Sequence, residues 1–138
     1  MNLETHTPVS LGEPNLQLQL AQLAPRLEGE PRVFRPFAGG DLLPGNAVMI
    51  FRDDEGLSMI LEVDVAAPGE TVFAQITLGL KANQEPSRLF VILTSQLATR
   101  GVPCNIVSSF YHHHLFVPWD AADIAMEVLM SLVQQYAP

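Results

Sequence analysis

The run Val102-Pro-Cys-Asn-Ile-Val-Ser-Ser-Phe-Tyr-His-His-His-Leu-Phe-Val-Pro118 decides how this chain folds. Ile, Val, Phe and Tyr favour strands because stiff or flat side chains pack well on a pleated surface. The run divides into two extended pieces, Asn105–Tyr111 and Leu115–Val117, joined through three consecutive histidines. Such a hairpin needs further strands beside it and a layer to cover it.

The flanking sequence supplies both. Upstream, Thr71–Leu80 is a long β-prone run that Lys81–Glu85 breaks. Pro86 suits the first turn of a helix, where its missing N–H costs nothing. Leu89, Ile92, Leu93 and Leu97 then repeat at helical spacing, and Gly101 fits just past the helix end. Downstream, Pro118-Trp-Asp120 opens a last helix, with Asp120 as N-cap and Asp123 in its first turn. Its core face is Ile124, Val128, Leu129, Leu132 and Val133.

The second half therefore reads strand, helix, strand, strand, helix. A right-handed crossover makes 71–80 and 105–111 parallel, and both helices cover one face of the sheet. This is an α+β, ferredoxin-like βαββαβ arrangement lacking its last strand. The gap would leave an open, association-prone edge. Either the first half of the chain or a second copy must fill it.

The first half has the material. Residues 1–14 are polar, carry two prolines and read as a flexible tail. Asn15 reads as an N-cap, followed by a short amphipathic helix with Leu16, Leu20, Leu23 and Leu27 on one face, interrupted by Pro25. Arg32–Ala38 alternates as a strand, and Pro36 places it at a sheet edge. Ala47–Arg52 and Leu57–Val63 flank Asp53-Asp-Glu-Gly56, a hairpin whose acids read as a solvated turn. Ala66–Glu70 marks the boundary between residues 15–66 and 70–138.

Composition narrows the function. At 138 residues, 48% hydrophobic and 16% charged, the chain has ample material for one compact core. A net charge of −8 with seven scattered Lys and Arg argues against nucleic acid as a partner. The acid is uneven: residues 1–70 hold 11 Asp/Glu against 4 Arg, the remainder 4 against 3. Cys104 is the single cysteine, so neither an intrachain disulfide nor a thiolate metal site is expected. No apolar run approaches the roughly 20 residues of a membrane helix, and no secretory leader is evident. A cytoplasmic protein without membrane contact is the expectation.

The residues Ile76-Thr-Leu78, Gly101-Val-Pro-Cys-Asn-Ile-Val107 and Tyr111-His-His-His-Leu-Phe-Val-Pro118 resemble the C-terminal part of a family of small bacterial ACT-domain proteins. Glu55-Gly-Leu-Ser58 looks like the central hairpin of that family, and the resemblance spans about 15–135. It implies two ACT-like halves, as in tandem-ACT amino-acid sensors. It also implies an amino acid or similar regulator bound at the turn after the first strand of an ACT unit, often against a neighbouring unit. Relatives carry His-Ser-Ser-Leu-Glu-Ala-Val-Gly there, where this chain has Lys81-Ala-Asn-Gln-Glu-Pro-Ser-Arg88.

The same loop is the best ligand site on physical grounds, since it joins a strand to a helix N-terminus whose free N–H groups favour an anion such as a carboxylate. Lys81, Ala82, Asn83, Gln84 and Glu85 form it; Asn83 and Gln84 add hydrogen bonds, and Glu85 or Asp120 could accept an ammonium. Asn105, Ile106, His112 and His114 complete the candidate ligand set from the hairpin, with His112 and His114 on one face of an extended chain. No acid or thiol completes a metal site with them, so no metal or cofactor is expected. Cys104 reads as a buried inert thiol, and no nucleophile–base or phosphate-cradling motif is present. The expectation is a non-catalytic, amino-acid-sensing ACT protein acting as a homodimer. The alternative is a self-associating or partner-binding protein that uses open sheet edges and has no metabolite ligand.

Overall fold

The computed structural model describes residues 14–37, 43–82 and 84–138, so the Met1–Glu13 tail, Ala38 and Asn83 lie outside the described residues. Among the described residues the fold is α+β: three helices and an antiparallel sheet. In chain order the elements are α1 (Pro14–Ala21), β1 (Pro25–Leu27), β2 (Arg32–Pro36), β3 (Ala47–Asp53), β4 (Gly56–Glu62), β5 (Phe73–Lys81), α2 (Ser87–Thr99), β6 (Asn105–Ser108), β7 (His112–Pro118) and α3 (Ala122–Tyr136). A 3₁₀ turn, Trp119–Ala121, precedes α3.

The strands run β3-β4-β2-β5-β7-β6, with β1 also paired to β5. Because β5 and β6 are each antiparallel to β7, they point the same way, with β7 between them. On the other side of β5 the chain fills its own edge. Pro25–Leu27 pairs with Leu78–Ile76, and Arg32 of β2 pairs with Phe73.

That docking requires a close approach. Ala24 turns the chain with a positive φ of 44°, and Gly79 passes so near that a β-carbon there would sit 2.9 Å from the Ala24 β-carbon. Gly79 N–H donates to the Ala24 carbonyl at 3.0 Å. The β5–β7 register slips over the same residues, between Thr77↔His114 and Lys81↔His112.

Side-chain alternation gives the sheet two faces. One carries Ala74, Ile76, Leu78, Leu115 and Val117. All three helices cover it, through Leu16 and Leu20, then Leu89 and Leu93, then Ala125, Leu129 and Leu132. A smaller cluster of Val33, Met59 and Leu61 lies under Val63 and Ala66 of the loop joining β4 to β5. Arg35 fixes that loop, its guanidinium gripping the Glu70 carboxylate at 2.6 and 2.7 Å.

Several local expectations are corrected. Asn15 lies inside α1, which opens with Pro14, and the helix stops at Ala21, so Leu27 belongs to a strand. β2 is not an edge strand: it lies between β4 and β5, although only Arg32 reaches β5, and Pro36 ends it. The histidines do not form the hairpin turn. Ser109-Phe110-Tyr111 does, because the Ser109 hydroxyl donates to the His112 carbonyl at 2.9 Å and accepts its N–H at 3.2 Å, and the histidines begin β7. Asp120 sits in the 3₁₀ turn and not at the α3 N-cap, which is Ala121. Pro86 stands just before α2, and Gly101, at φ 74°, follows its end.

Candidate functional site

The face of the sheet opposite the helices is where the structure concentrates polar groups. Register places Gln75 and Thr77 of β5 there, with His114 and Phe116 of β7 and Val107 of β6. Arg32 and Phe34 join them from β2, and Ile60 from β4. A bare sheet face should be wet, yet Ile60 and Phe116 are buried, as are Arg32, Gln75 and Thr77. The covering comes from curvature. Residues 48–51 of β3 and Val107 and Ser108 of β6 line the same cavity, although these are the two end strands of the sheet. In a flat sheet, five strand spacings of about 4.8 Å would hold them roughly 24 Å apart. The sheet therefore curls until its edges flank one cleft of about 400 Å³.

The walls of the cleft are apolar and the floor is polar. Val48, Met49, Ile50, Phe51, Val107 and Phe116 supply the walls; Gln75 and His114 lie at the floor, with Ser109 beside them. Phe116 is held edge-on to Phe34, with ring centroids 5.8 Å apart, and Phe34 packs on Phe73 at 5.0 Å.

A hydrogen-bonded chain supports the floor. Arg32 Nε donates to Gln75 Oε1 at 2.9 Å, which turns the Gln75 amide nitrogen toward Thr77 and His114. The Arg32 NH1 group donates to the Glu30 carbonyl at 2.7 Å. Thr77 donates its hydroxyl proton to Glu28 Oε1 at 3.0 Å. His114 Nδ1 lies 3.2 Å from Gln75 Nε2 and 3.1 Å from Thr77 Oγ1, while its Nε2 faces Ser109 Oγ at 3.3 Å. Three proton arrangements satisfy this set, two of them neutral. Either Gln75 donates to Nδ1 and Nε2 carries the ring proton, or Nδ1–H donates to Thr77 and Nε2 is a bare acceptor. Both leave the ring neutral; the third, doubly protonated and donating to Thr77 and Ser109, is disfavoured by burial. Burial, then the neighbouring His112, push the His114 pKa below its ordinary value against the pull of Glu28. For Glu28, burial alone would raise the pKa, but hydrogen bonds from Arg26 and Thr77 and the charges of Arg26 and Arg32 outweigh it, so the carboxyl stays ionised.

The ligand set expected from sequence is divided by the fold. Lys81 ends β5 opposite His112. Ala82 N–H donates to the Tyr111 carbonyl at 2.9 Å, and Gln84 is exposed. Glu85 turns onto its own helix, its Oε1 accepting the Ser87 N–H at 2.8 Å as well as the Ser87 hydroxyl. An N-terminal N–H of α2 is thus capped from within the chain. Asp120 is not beside that loop; it lines a separate hollow of about 310 Å³ with Leu27, Glu28 and Trp119. Asn105 lies on the cleft face opposite Phe116, whereas Ile106 faces the helices and packs on the main core. His112 and His114 share the cleft face by alternation, and His114 alone of the two lines the cleft.

His113 points the other way. It is buried against the Phe90 ring at 4.9 Å, with Nδ1 at 2.8 Å from Ser108 Oγ. Cys104 is half-buried beside the main core, and burial pushes its thiol up to about 11. Among the described residues no group of three or more His, Cys, Asp or Glu is placed to hold a metal ion. Gln75, Thr77, Arg32 and Glu28 are the site residues that sequence reasoning missed. The visible signal was Gln75 and Thr77 alternating with Ala74, Ile76 and Leu78, a period-2 pattern that demands a second face.

No protein-family model and no curated protein matches the chain. Solved structures do. A Vibrio cholerae protein of unknown function, described as a possible transport protein, superposes with a TM-score of 0.67 at 27% identity, covering 82% of this chain and 92% of that one. An Agrobacterium tumefaciens protein gives a TM-score of 0.61 at 18% identity, covering 79% and 87%, and is similar in fold. The fold of most of the chain therefore recurs in solved proteins. None of the described helices is long and apolar enough to cross a membrane.

Proposed function

We propose that this chain is a non-catalytic small-molecule-binding protein of the ACT type, with its ligand seated in the cleft on the helix-free face. The carrying observation is the cleft itself. About 400 Å³ of space lies between apolar walls and a hydrogen-bonded polar floor formed by buried Gln75 and half-buried His114. A small-molecule site has this composition: apolar lining with a few fixed polar groups. The ACT reading is supported by strand positions. The order β6-β7-β5 with α2 and α3 on one face corresponds, in this reading, to a ferredoxin-like unit, and β1 takes the place of its absent last strand. In this reading residues 15–66 and 70–138 are the two ACT-like halves, and ligand occupancy is a cytoplasmic regulatory signal.

A thermal-shift screen of the twenty amino acids and a panel of neutral metabolites tests this, with Val107→Trp as the cleft-filling control. A ligand at 100 times its Kd should add about 2.7 kcal/mol of stability to the wild type and nothing to the variant. The reading fails if no compound shifts the wild type, or if shifts survive Val107→Trp unchanged.

Self-association without a ligand is favoured by a different observation. Phe110 and Tyr111 stand 86% and 70% exposed at the tip of the β6–β7 hairpin, next to the end strand of the sheet. Light scattering of Phe110→Ser against wild type, with and without a ligand hit, separates the two readings.

A further inference from the structure

We infer that the cleft selects an uncharged ligand, one whose hydrogen-bonding head reaches His114 and Gln75 without a formal charge, and that it discriminates against carboxylates and zwitterions. This rests on the binding reading above and sharpens it, since it sets the cleft apart from a site for free amino acids. Among the described residues, none that lines the cleft is Lys, Arg, Asp or Glu. The one titratable group in that described lining, His114, is neutral at pH 7.5 because burial, then the neighbouring His112, keep its pKa below the ordinary histidine value. The charges nearest the floor, Arg32 and Glu28, lie outside the lining and are already spoken for. Arg32 is committed to Gln75 and the Glu30 carbonyl, and Glu28 to Arg26 and Thr77. A carboxylate or ammonium brought to the floor would lose hydration and find no charged side chain in the described lining to pair with directly, which is unfavourable.

What the floor does offer suits a neutral head. His114 Nε2 presents a donor in one tautomer and an acceptor in the other, beside the Ser109 hydroxyl. An amide, alcohol or ketone can be met by a tautomer change alone, at no cost in charge. The walls, Met49, Phe51, Val107 and Phe116 foremost, set the remainder of the ligand as an aromatic or branched aliphatic body. Curvature of the sheet limits the length of that body to what fits between β3 and β6.

The test uses pairs that share a carbon skeleton and differ in charge: phenylacetamide against phenylacetate, indole-3-acetamide against indole-3-acetate, and 2-phenylethanol against phenylalanine. Binding to the full chain at pH 7.5 is followed by amide-proton NMR shifts, which locate each compound. The neutral member should bind about tenfold or more tightly than its charged partner, with shifts at residues 48–51, 107–109 and 114. Gln96→Ala, on the exposed side of α2, should leave those shifts unchanged, while Val107→Trp should abolish them. Equal or tighter binding of the charged members at the same residues would overturn the inference and leave the binding reading standing. Silence from every compound, or shifts confined to residues 81–87, would overturn both.

Discussion

Replacing Gly79 with alanine tests how the chain closes its own sheet. The added β-carbon would lie 2.9 Å from the Ala24 β-carbon and 3.1 Å from the Ala24 carbonyl oxygen. Neither atom is the end of a flexible side chain, so the backbone of one strand must move. The movement strains the Gly79 N–H bond to the Ala24 carbonyl and the three β1–β5 pairs beside it. Overpacking of this kind costs about 1–3 kcal/mol. For a chain of 138 residues that corresponds to a fall of roughly 3–5 °C in Tm per kcal/mol. Urea denaturation of the four-member cycle Gly79→Ala, Ala24→Gly, both and neither is the assay. Ala24→Gly removes the methyl that clashes and relieves the positive φ, so it should recover at least about 0.5 kcal/mol of the Gly79→Ala loss as coupling. A Gly79→Ala variant within experimental error of wild type, or a strictly additive cycle, would refute the close approach of β1 to β5.

Other outcomes follow from the polar groups. Arg35 and the Ala67 N–H hold the Glu70 carboxyl at a pKa of about 2. Because the folded pKa lies below the unfolded one, its stabilisation is complete above the ordinary carboxylate value and is lost as pH falls toward 2; Glu70→Gln should therefore flatten the urea midpoint between pH 5 and 2.5. His113 and His114 have depressed pKa values from burial, then from His112. The unfolded chain takes up these protons first as pH drops below 6.5, so stability should decline through that range, and NMR titration of the imidazole carbons should place both rings below His in a peptide. Cys104, raised to about 11 by burial, should react with a disulfide reagent at pH 8 at least about tenfold more slowly in the folded protein than in urea; equal rates would mean an accessible thiol.

Local rules sufficed wherever one element decided its own fate. Leu89, Ile92, Leu93 and Leu97 line the buried side of α2 because helical spacing alone sets which residues share a face. The turn at Asp54-Glu55, closed by Gly56 at φ 135°, follows from residue chemistry at the hairpin. Reading failed where two tendencies competed. Phe110 and Tyr111 favour strands, but the Ser109 hydroxyl bonds the His112 backbone and takes them into the turn, which moves the histidines into β7. The helical leucine spacing ran through Leu27, but Ala24 and Pro25 redirect the chain onto β5. Of the candidate site, His114 was legible because alternation separates it from His113. The cleft was not, because it depends on curvature that brings Phe51 and Val107 to one space, and no local pattern encodes the meeting of two strands so far apart in sequence.

The placement of β1 also bears on the order in which the molecule can be made. Leu27 and its ladder partner Ile76 are 49 positions apart, and Leu16 and Leu20 of α1 pack in a core that includes Ala125 and Leu129 of α3. At a synthesis rate of roughly 5–20 residues per second, the first helix and strand wait several seconds for the strand they dock on, and longer for the last helix. The leucines of α1 stay exposed through that interval. The helix α1 and strand β1 are thus made well before the elements that lock them in place.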